Sequence, residues 1–226
     1  MASKAQGNSI LQSLPVEEYG KISRELESVQ LSRDQTIIDP GSGNEYVYFP
    51  TSSVVSFLGQ NEQNGTIEAW SVGHEGAAGI SGILGHRNPF AGIVQVPGPA
   101  LRAETALVQR YFQKNAAFRD SFVRYLHRLL TQVSFLGICN NMHPPAQRLS
   151  RWLLIMEHRV GSKSLHFTQD AIASLLGTRR ATVSVAAAEL QAAGAISYTP
   201  GAILIKSRRV LKQRACGCYK AIHFRA

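Results

Sequence analysis

FTQDAIASLLGTRRATVSVAAAEL, residues 167–190, is the stretch on which the reading of this chain turns. It divides into two short helices parted at Gly177. Thr168 is placed to cap the first helix, and Asp170 to complement its positive end. Ile172, Leu175 and Leu176 recur at helical spacing and face inward. Gly177 supplies the left-handed backbone that ends a helix at little cost. Thr178 is placed to cap the second helix, which runs to about Ala193 with Val183, Ala187 and Leu190 inward. Short Ala and Ser side chains let the two helices approach, and Gly194 ends the second. The pattern predicts a helix-turn-helix, which lays its second helix in the major groove of DNA.

The flanks support that reading. Ile196 to Ile205 holds two short apolar runs around Pro200-Gly201, the signature of a tight turn. This predicts a two-stranded wing, after which Ser207 caps a last helix from Arg208 to about Cys218. The net charge of +9 is distributed unevenly. Residues 144–226 hold 13 Lys and Arg against 3 Asp and Glu, a net +10, whereas residues 1–143 hold 11 against 12, a net −1. The whole excess therefore lies with the helix-turn-helix, where a phosphate backbone would attract it largely irrespective of base sequence.

Upstream the periodicity changes twice. Residues 10–28 read as a small helical entry, with Leu11, Leu14, Tyr19, Ile22 and Leu26 at roughly helical spacing. From about 29 to 108, β-branched and aromatic runs alternate with turn signals. The runs are Thr36–Ile38, Tyr46–Phe49, Val54–Leu58, Thr66–Trp70, Ile93–Val96 and Ala100–Ala103. The turns lie at Pro40–Gly43, at Asn64-Gly65 (a good two-residue hairpin), and at Pro97-Gly98-Pro99. Strands of this length and spacing predict a sandwich, jelly roll or barrel. Residues 105–141 read as helix. Phe122, Leu126, Leu129, Val133 and Leu136 alternate in steps of four and three, the seam of a short coiled coil. A helix that pairs with a second copy is the reading preferred over one that packs only on the β domain. Pro144-Pro145 interrupts the helix and marks a boundary, and Ala146 to Arg159 resumes it with Leu149, Trp152, Leu153 and Met156 inward.

At 226 residues, 44% hydrophobic and 17% charged, the composition fits a globular chain with a sizeable core. No run of about 18 apolar residues exists, so no membrane span is expected. The first residues contain no apolar segment of signal-peptide type. Cys139, Cys216 and Cys218 are too few for a disulfide scaffold, and a reducing cytoplasm is the expected location.

Taken together, residues 168–184 resemble the DNA-binding signature of the Crp/Fnr transcription regulators. The positions that carry the likeness are Thr168, Gln169, Ile172, Ala173, Leu176, Gly177, Thr178, Arg179, Arg180, Thr182, Val183 and Ser184. The wing and Ala215–Tyr219 are similar to members of that family, and Tyr48–Ser56 and Val72–Ile80 resemble its β-roll sensor domain. The resemblance covers nearly the whole chain. It implies an α+β fold: an N-terminal antiparallel β-roll of jelly-roll, cyclic-nucleotide-binding-like type over 1–108, a long dimerisation helix over 109–143, and a winged helix-turn-helix over 144–226. It further implies a bacterial homodimer on a palindromic operator of double-stranded DNA, with RNA polymerase as a further partner and no membrane.

Thr168, Gln169, Thr178, Arg179, Arg180, Thr182 and Ser184 are the expected DNA contacts, and Phe122, Leu126, Leu129, Val133 and Leu136 the expected dimer interface. Arg180 is suited to bond a guanine bidentately, worth roughly 1–3 kcal/mol of discrimination. The family's signature carries Glu and Arg where this chain has Ala181 and Val185, which implies a different operator; Val185 is suited to a thymine methyl. Its cyclic-nucleotide-binding members carry a Gly-Glu pair and an Arg-Ser pair, whereas this chain places Ile80 and the segment 88–92 there, with Arg87 nearby but not at the matching place. The expected signal is therefore one other than cyclic AMP, its identity open. The alternative is a constitutive DNA-binding dimer whose β-roll is only structural.

Other chemistry is not expected. His74 and His86 are single loop histidines, and no haem or other cofactor is expected. Cys216-Gly-Cys218 with His223 does not complete a zinc site, and Cys139 with His143 is followed at once by Pro144, so no metal is expected. His74-Glu75 lacks the His-x-His of a cupin metal centre. No nucleophile elbow, phosphate loop or carboxylate pair marks an enzyme, and no catalytic residue is assigned.

Overall fold

The computed structural model of the chain describes residues 7–60 and 66–222. It separates into two compact units, Met1–Gly59 with Ala69–Leu129, and Gln60–Glu68 with Leu130–Ala226. The hairpin turn expected at Asn64-Gly65 lies outside the described residues.

The first unit opens with α1 (Ser9–Gln12), α2 (Val16–Ile22) and a single 3-10 turn at Ser23–Glu25. Strands β1 (Glu27–Leu31), β2 (Thr36–Ile38), β3 (Tyr46–Pro50), β4 (Val54–Gln60) and β5 (Thr66–Val72) follow. Then come α3 (Ile80–Ile83), β6 (Ala91–Val96), β7 (Gly98–Glu104), α4 (Thr105–Lys114) and α5 (Ala116–Met142), whose residues from Leu130 onward belong to the second unit. The strands form two sheets, ordered β1-β7-β3 and β2-β6-β4-β5. Val47, Phe49 and Ala103 from the first sheet and Val55, Phe57 and Val94 from the second share one core with Leu11, Ile22, Phe118 and Phe122. Burying these apolar side chains is the main force that closes the roll. The entry is fastened by Asn8, fully buried, whose Nδ2 donates to the carbonyls of Pro50 and Gly76 at 3.0 and 2.6 Å. Its Oδ1 accepts from the Ile10 amide at 3.1 Å and so caps α1. Gly76 is required where it stands, because a Cβ there would collide with the Tyr125 ring.

The six strands expected between 36 and 103 are present, and the departures are local. Residues 27–31 form β1, a strand not among those expected, and its first two residues fall within the expected helical entry. Only one of its five residues is buried and it pairs with β7 alone, so it is an edge strand with little apolar periodicity to betray it. Gly98 and Pro99 open β7 instead of making a turn, paired with Leu31 and Gln30. Proline is tolerated at that position, the start of a strand. The expected single helix over 105–141 is two, because Asn115 is extended and its Oδ1 accepts from the Phe118 amide at 2.9 Å, capping α5.

The residues of the expected seam on α5 differ in their surroundings. Phe122 is fully buried, its ring 5.9 Å from those of Phe112 and Phe118 and 5.8 Å from that of Tyr125. Leu126 and Leu129 are partly buried against the same core. The exposed apolar stripe instead runs through Val123, Leu130 and Val133, which are 51%, 67% and 38% exposed. Val133 is common to the expected seam and this stripe, whereas Phe122 is taken up by the core of the first unit.

The second unit contains α6 (Pro145–Val160), β8 (Ser164–Leu165), α7 (Gln169–Leu176), α8 (Arg180–Ala192), β9 (Ile196–Thr199), β10 (Ala202–Ile205), α9 (Arg208–Arg214) and α10 (Cys218–Ile222). Pro144 and Pro145 occupy the N-cap and first turn of α6, where a proline removes no helical hydrogen bond. Leu149, Trp152, Leu153 and Met156 of α6 are buried as their spacing implied, and α8 and α9 both pack on that helix. The Trp152 ring meets that of Phe167 edge-on at 4.9 Å. The wing has three strands, β8-β10-β9, rather than two. The last helix stops at Arg214 because Ala215 is extended, and a separate turn of helix follows from Cys218. Among the described residues, no helix is long and apolar enough to cross a membrane.

Candidate nucleic-acid interface

The sequence shapes this site one cap at a time. Thr168 stands at the N-cap of α7, its hydroxyl oxygen accepting from the Ala171 amide at 3.1 Å. Ile172, Ala173, Leu175 and Leu176 are buried, which fixes the rotation of the helix. Gly177 adopts the left-handed conformation at φ 58°, and the amides of Gly177 and Thr178 bond the carbonyls of Ser174 and Ala173 at 3.2 and 2.9 Å. This closes α7 as a Schellman motif and turns the chain sharply. Buried Arg148 of α6 donates to the Leu176 carbonyl, so one further carbonyl at the end of α7 is satisfied.

Helix α8 then starts at Arg180. Arg179 rather than Thr178 occupies its N-cap, and no side chain bonds the first amides. Val183, Ala186, Ala187 and Leu190 are buried, while Arg180, Ala181, Ser184, Val185 and Ala188 lie exposed on the opposite face. That exposed face begins with two arginines beside an uncapped, positively polarised helix end, an arrangement suited to phosphate and to base edges. Arg179, Arg180 and Ser184 are exposed together at this end, and Thr178 and Thr182 are half-buried beside them. Thr168 is exposed with its hydroxyl engaged in the cap, and half-buried Gln169 begins α7.

Asp170 has a role that sequence spacing did not disclose. Its Oδ2 lies 3.7 Å from Arg180 Nε, with both side chains mostly exposed. An ion pair this exposed contributes at most about 1 kcal/mol, so it orients Arg180 without preventing it from meeting a stronger acceptor. Val185 is 71% exposed, a large apolar side chain left uncovered in the middle of the same face. Arg208 Nε bonds Glu157 Oε2 at 2.7 Å, holding α9 to α6.

A second group of side chains gathers within the same unit. Cys139 Sγ lies 3.4 Å from Cys216 Sγ, and Cys218 Sγ lies 3.7 Å from His143 Nδ1. The three cysteines are buried and free, and His143 is half-buried. The hydrogen bond to Cys216, reinforced by burial, pushes the Cys139 thiol up, and the same bond pulls the Cys216 thiol down to about 5 against the effect of its own burial. Sequence spacing treats Cys139 with His143 and Cys216 with Cys218 as separate pairs, and the fold joins them. His223 lies outside the described residues.

Fold and site define a winged helix-turn-helix domain preceded by a double-sheet roll and a long helix. Residues 147–214 match the family model of the Crp-like helix-turn-helix domain. Among solved structures, FixK2 from Bradyrhizobium japonicum is similar with a TM-score of 0.73 at 14% identity, over 85% of this chain and 98% of its own. A CRP-family transcriptional regulator from Thermus thermophilus is similar with a TM-score of 0.71 at 16% identity, over 83% of this chain and 96% of its own. The c-di-GMP responsive global regulator CLP of Xanthomonas campestris has a TM-score of 0.68 at 13% identity, over 85% of this chain and 100% of its own. No curated protein matches the chain in sequence. The chain thus carries a Crp-like helix-turn-helix domain on the fold of the Crp/Fnr regulators, the family its motifs resemble.

Proposed function

We propose that this protein is a sequence-specific, DNA-binding transcription regulator of the Crp/Fnr type that acts as a homodimer on a palindromic operator in the cytoplasm. Residues 1–108 serve as the regulatory roll, 109–143 carry the pairing helix, and 144–226 read DNA. One observation carries the reading: the uncovered N-terminal face of α8, with Arg179, Arg180 and Ser184 exposed at an uncapped helix end. The net +10 of residues 144–226 supports it by supplying the general attraction to phosphate. Arg180 is the base reader, Arg179, Thr178 and Thr182 hold the backbone, and Val185 contributes an apolar contact to a thymine methyl. Pairing draws support from the exposed stripe on α5. RNA polymerase is the partner through which such a regulator acts, and no catalytic step belongs to this reading.

The signal is one other than cyclic AMP. An ester phosphate buried in a roll needs a guanidinium and backbone donors. Arg87, the arginine closest in sequence to the expected cassette, is exposed and donates to the Gly41 carbonyl at 3.1 Å. Asn88 is buried, and its Oδ1 accepts from the Phe90 amide at 3.2 Å. Cyclic AMP should leave operator affinity unchanged in a titration, and a clear gain in affinity would reverse this part of the reading.

The DNA-reading face is tested with Arg180→Ala on the operator recovered by genome-wide mapping of bound sites. Loss of one bidentate base contact amounts to roughly 1–3 kcal/mol, about 5- to 150-fold in specific affinity. Non-specific affinity for random duplex should fall far less, because one of many phosphate-facing charges is removed. Equal losses on both DNAs would count against a base contact.

A further inference from the structure

The fold brings together four side chains that the DNA-reading surface does not use. Cys139 lies in the last turns of α5 and His143 follows at i+4, directly after the helix ends at Met142. Cys216 comes from the turn between α9 and α10 and Cys218 opens α10, so the Cys139–Cys216 contact closes a separation of 77 residues. The four potential ligand atoms all lie within 4.8 Å of one another. Cys139, Cys216 and Cys218 are 0%, 5% and 5% exposed.

We propose that Cys139, His143, Cys216 and Cys218 form a structural zinc site that fastens the C-terminal end of α5 to the segment opening α10. The donor set decides the metal: three soft thiolates and one imidazole in a tetrad suit zinc, and suit calcium or magnesium poorly. The spacing agrees. Zinc–sulfur bonds of about 2.3 Å in a tetrahedron place neighbouring sulfurs about 3.8 Å apart. The 3.4 Å between Cys139 and Cys216 and the 3.7 Å between Cys218 and His143 lie close to that edge. All four positions would be filled by the protein, with none left open for water or substrate, so the role is structural rather than catalytic.

Charge balance supplies an independent argument. Zinc with three thiolates and a neutral imidazole carries one net negative charge, which is costly to bury alone. Arg151 of α6 is 2% exposed, and its Nε has no hydrogen-bond acceptor among the described residues. Its guanidinium acts electrostatically on all three thiols. A buried cation beside an anionic metal shell satisfies both. The two obvious alternatives explain less. A Cys139–Cys216 disulfide would need the sulfurs near 2.05 Å and would leave Cys218, His143 and Arg151 without a role. Four groups acting only as small apolar fillers would not account for an imidazole nitrogen turned toward a thiol.

The test uses the full chain purified under reductant with zinc, desalted and analysed by elemental mass spectrometry. About one zinc per chain is expected, and the cobalt-substituted protein should show thiolate-to-cobalt charge transfer with tetrahedral d–d bands. His143→Ala and Cys218→Ser should each lose most of the bound zinc and alter the cobalt spectrum, whereas His166→Ala, an exposed histidine of the same unit, should retain both. Chelation should lower the melting temperature of the parent protein and leave that of His143→Ala nearly unmoved. Full-length protein that stays zinc-free after supplementation would overturn the proposal. So would a Cys139–Cys216 disulfide persisting under reductant, or a zinc content unchanged by both ligand substitutions. None of these readouts involves DNA, so their outcome is separate from that of the regulatory reading.

Discussion

Leu130→Glu should yield a folded monomer that has lost the palindrome. Leu130 is 67% exposed in the middle of the stripe that also contains Val123 and Val133. Removing it from a surface should change the stability of the single chain by no more than about 0.5 kcal/mol. In a pair of two-fold related helices the same glutamate occurs twice across one seam, desolvated and repelled, and pairing fails. Each DNA-binding domain then engages a half-site alone. The second half-site ceases to be an intramolecular event, so affinity for the whole palindrome should fall by roughly 10²- to 10⁴-fold. Affinity for an isolated half-site should not move. Sedimentation velocity reads the mass and a gel-shift titration reads the two DNAs. A dimer that survives Leu130→Glu together with Val133→Glu would remove α5 from the interface.

Phe122→Ala should show the opposite signature. The phenyl ring is fully enclosed by Phe112, Phe118 and Tyr125 in the core of the first unit. Truncating such a ring costs roughly 3–5 kcal/mol, through lost apolar burial and the cavity left behind. The loss should appear as faster amide exchange in β3 and β4, which share that core, with α7 and α8 little affected. Because the chain has two units, a single unfolding free energy would blur this, and exchange read segment by segment resolves it. While the protein remains folded it should remain dimeric, since the ring is not on the exposed stripe. Stability equal to the parent's would show that Phe122 is not a core residue, and a monomer at full stability would restore it to the interface.

The contrast between these two neighbouring positions shows how far a periodic pattern can be read. Heptad spacing along α5 was legible, since Phe122, Leu126, Leu129, Val133 and Leu136 recur as a seam should. Which side of the helix meets the roll was not. An apolar stripe around a helix looks the same whether it packs on its own domain or on a partner, and here two stripes run side by side. Strand β1 escaped notice for a related reason. With one buried residue and a single neighbour it has almost no apolar signal, and its place is assigned by pairing with β7. The break at Asn115 was a side-chain cap, one of several conformations an asparagine permits.

The helix-turn-helix was legible from the sequence because its determinants are local: an N-cap at Thr168, a left-handed glycine at 177, helical spacing from Ile172 to Leu190, and arginines where the second helix begins. Each acts within one or two turns of itself, so neighbouring letters suffice. The Asp170–Arg180 pair depends on the angle between α7 and α8, and the cluster of Cys139, His143, Cys216 and Cys218 depends on how the ends of α5 and α9 pack. By itself, the amino-acid order determined the winged helix-turn-helix, six of the seven strands described in the roll and the segregation of positive charge. Only the tertiary structure decided which face of α5 stays exposed and which distant thiols meet, because both are set by packing between segments far apart in the chain, where one side chain's position is fixed by neighbours that spacing along the sequence cannot specify.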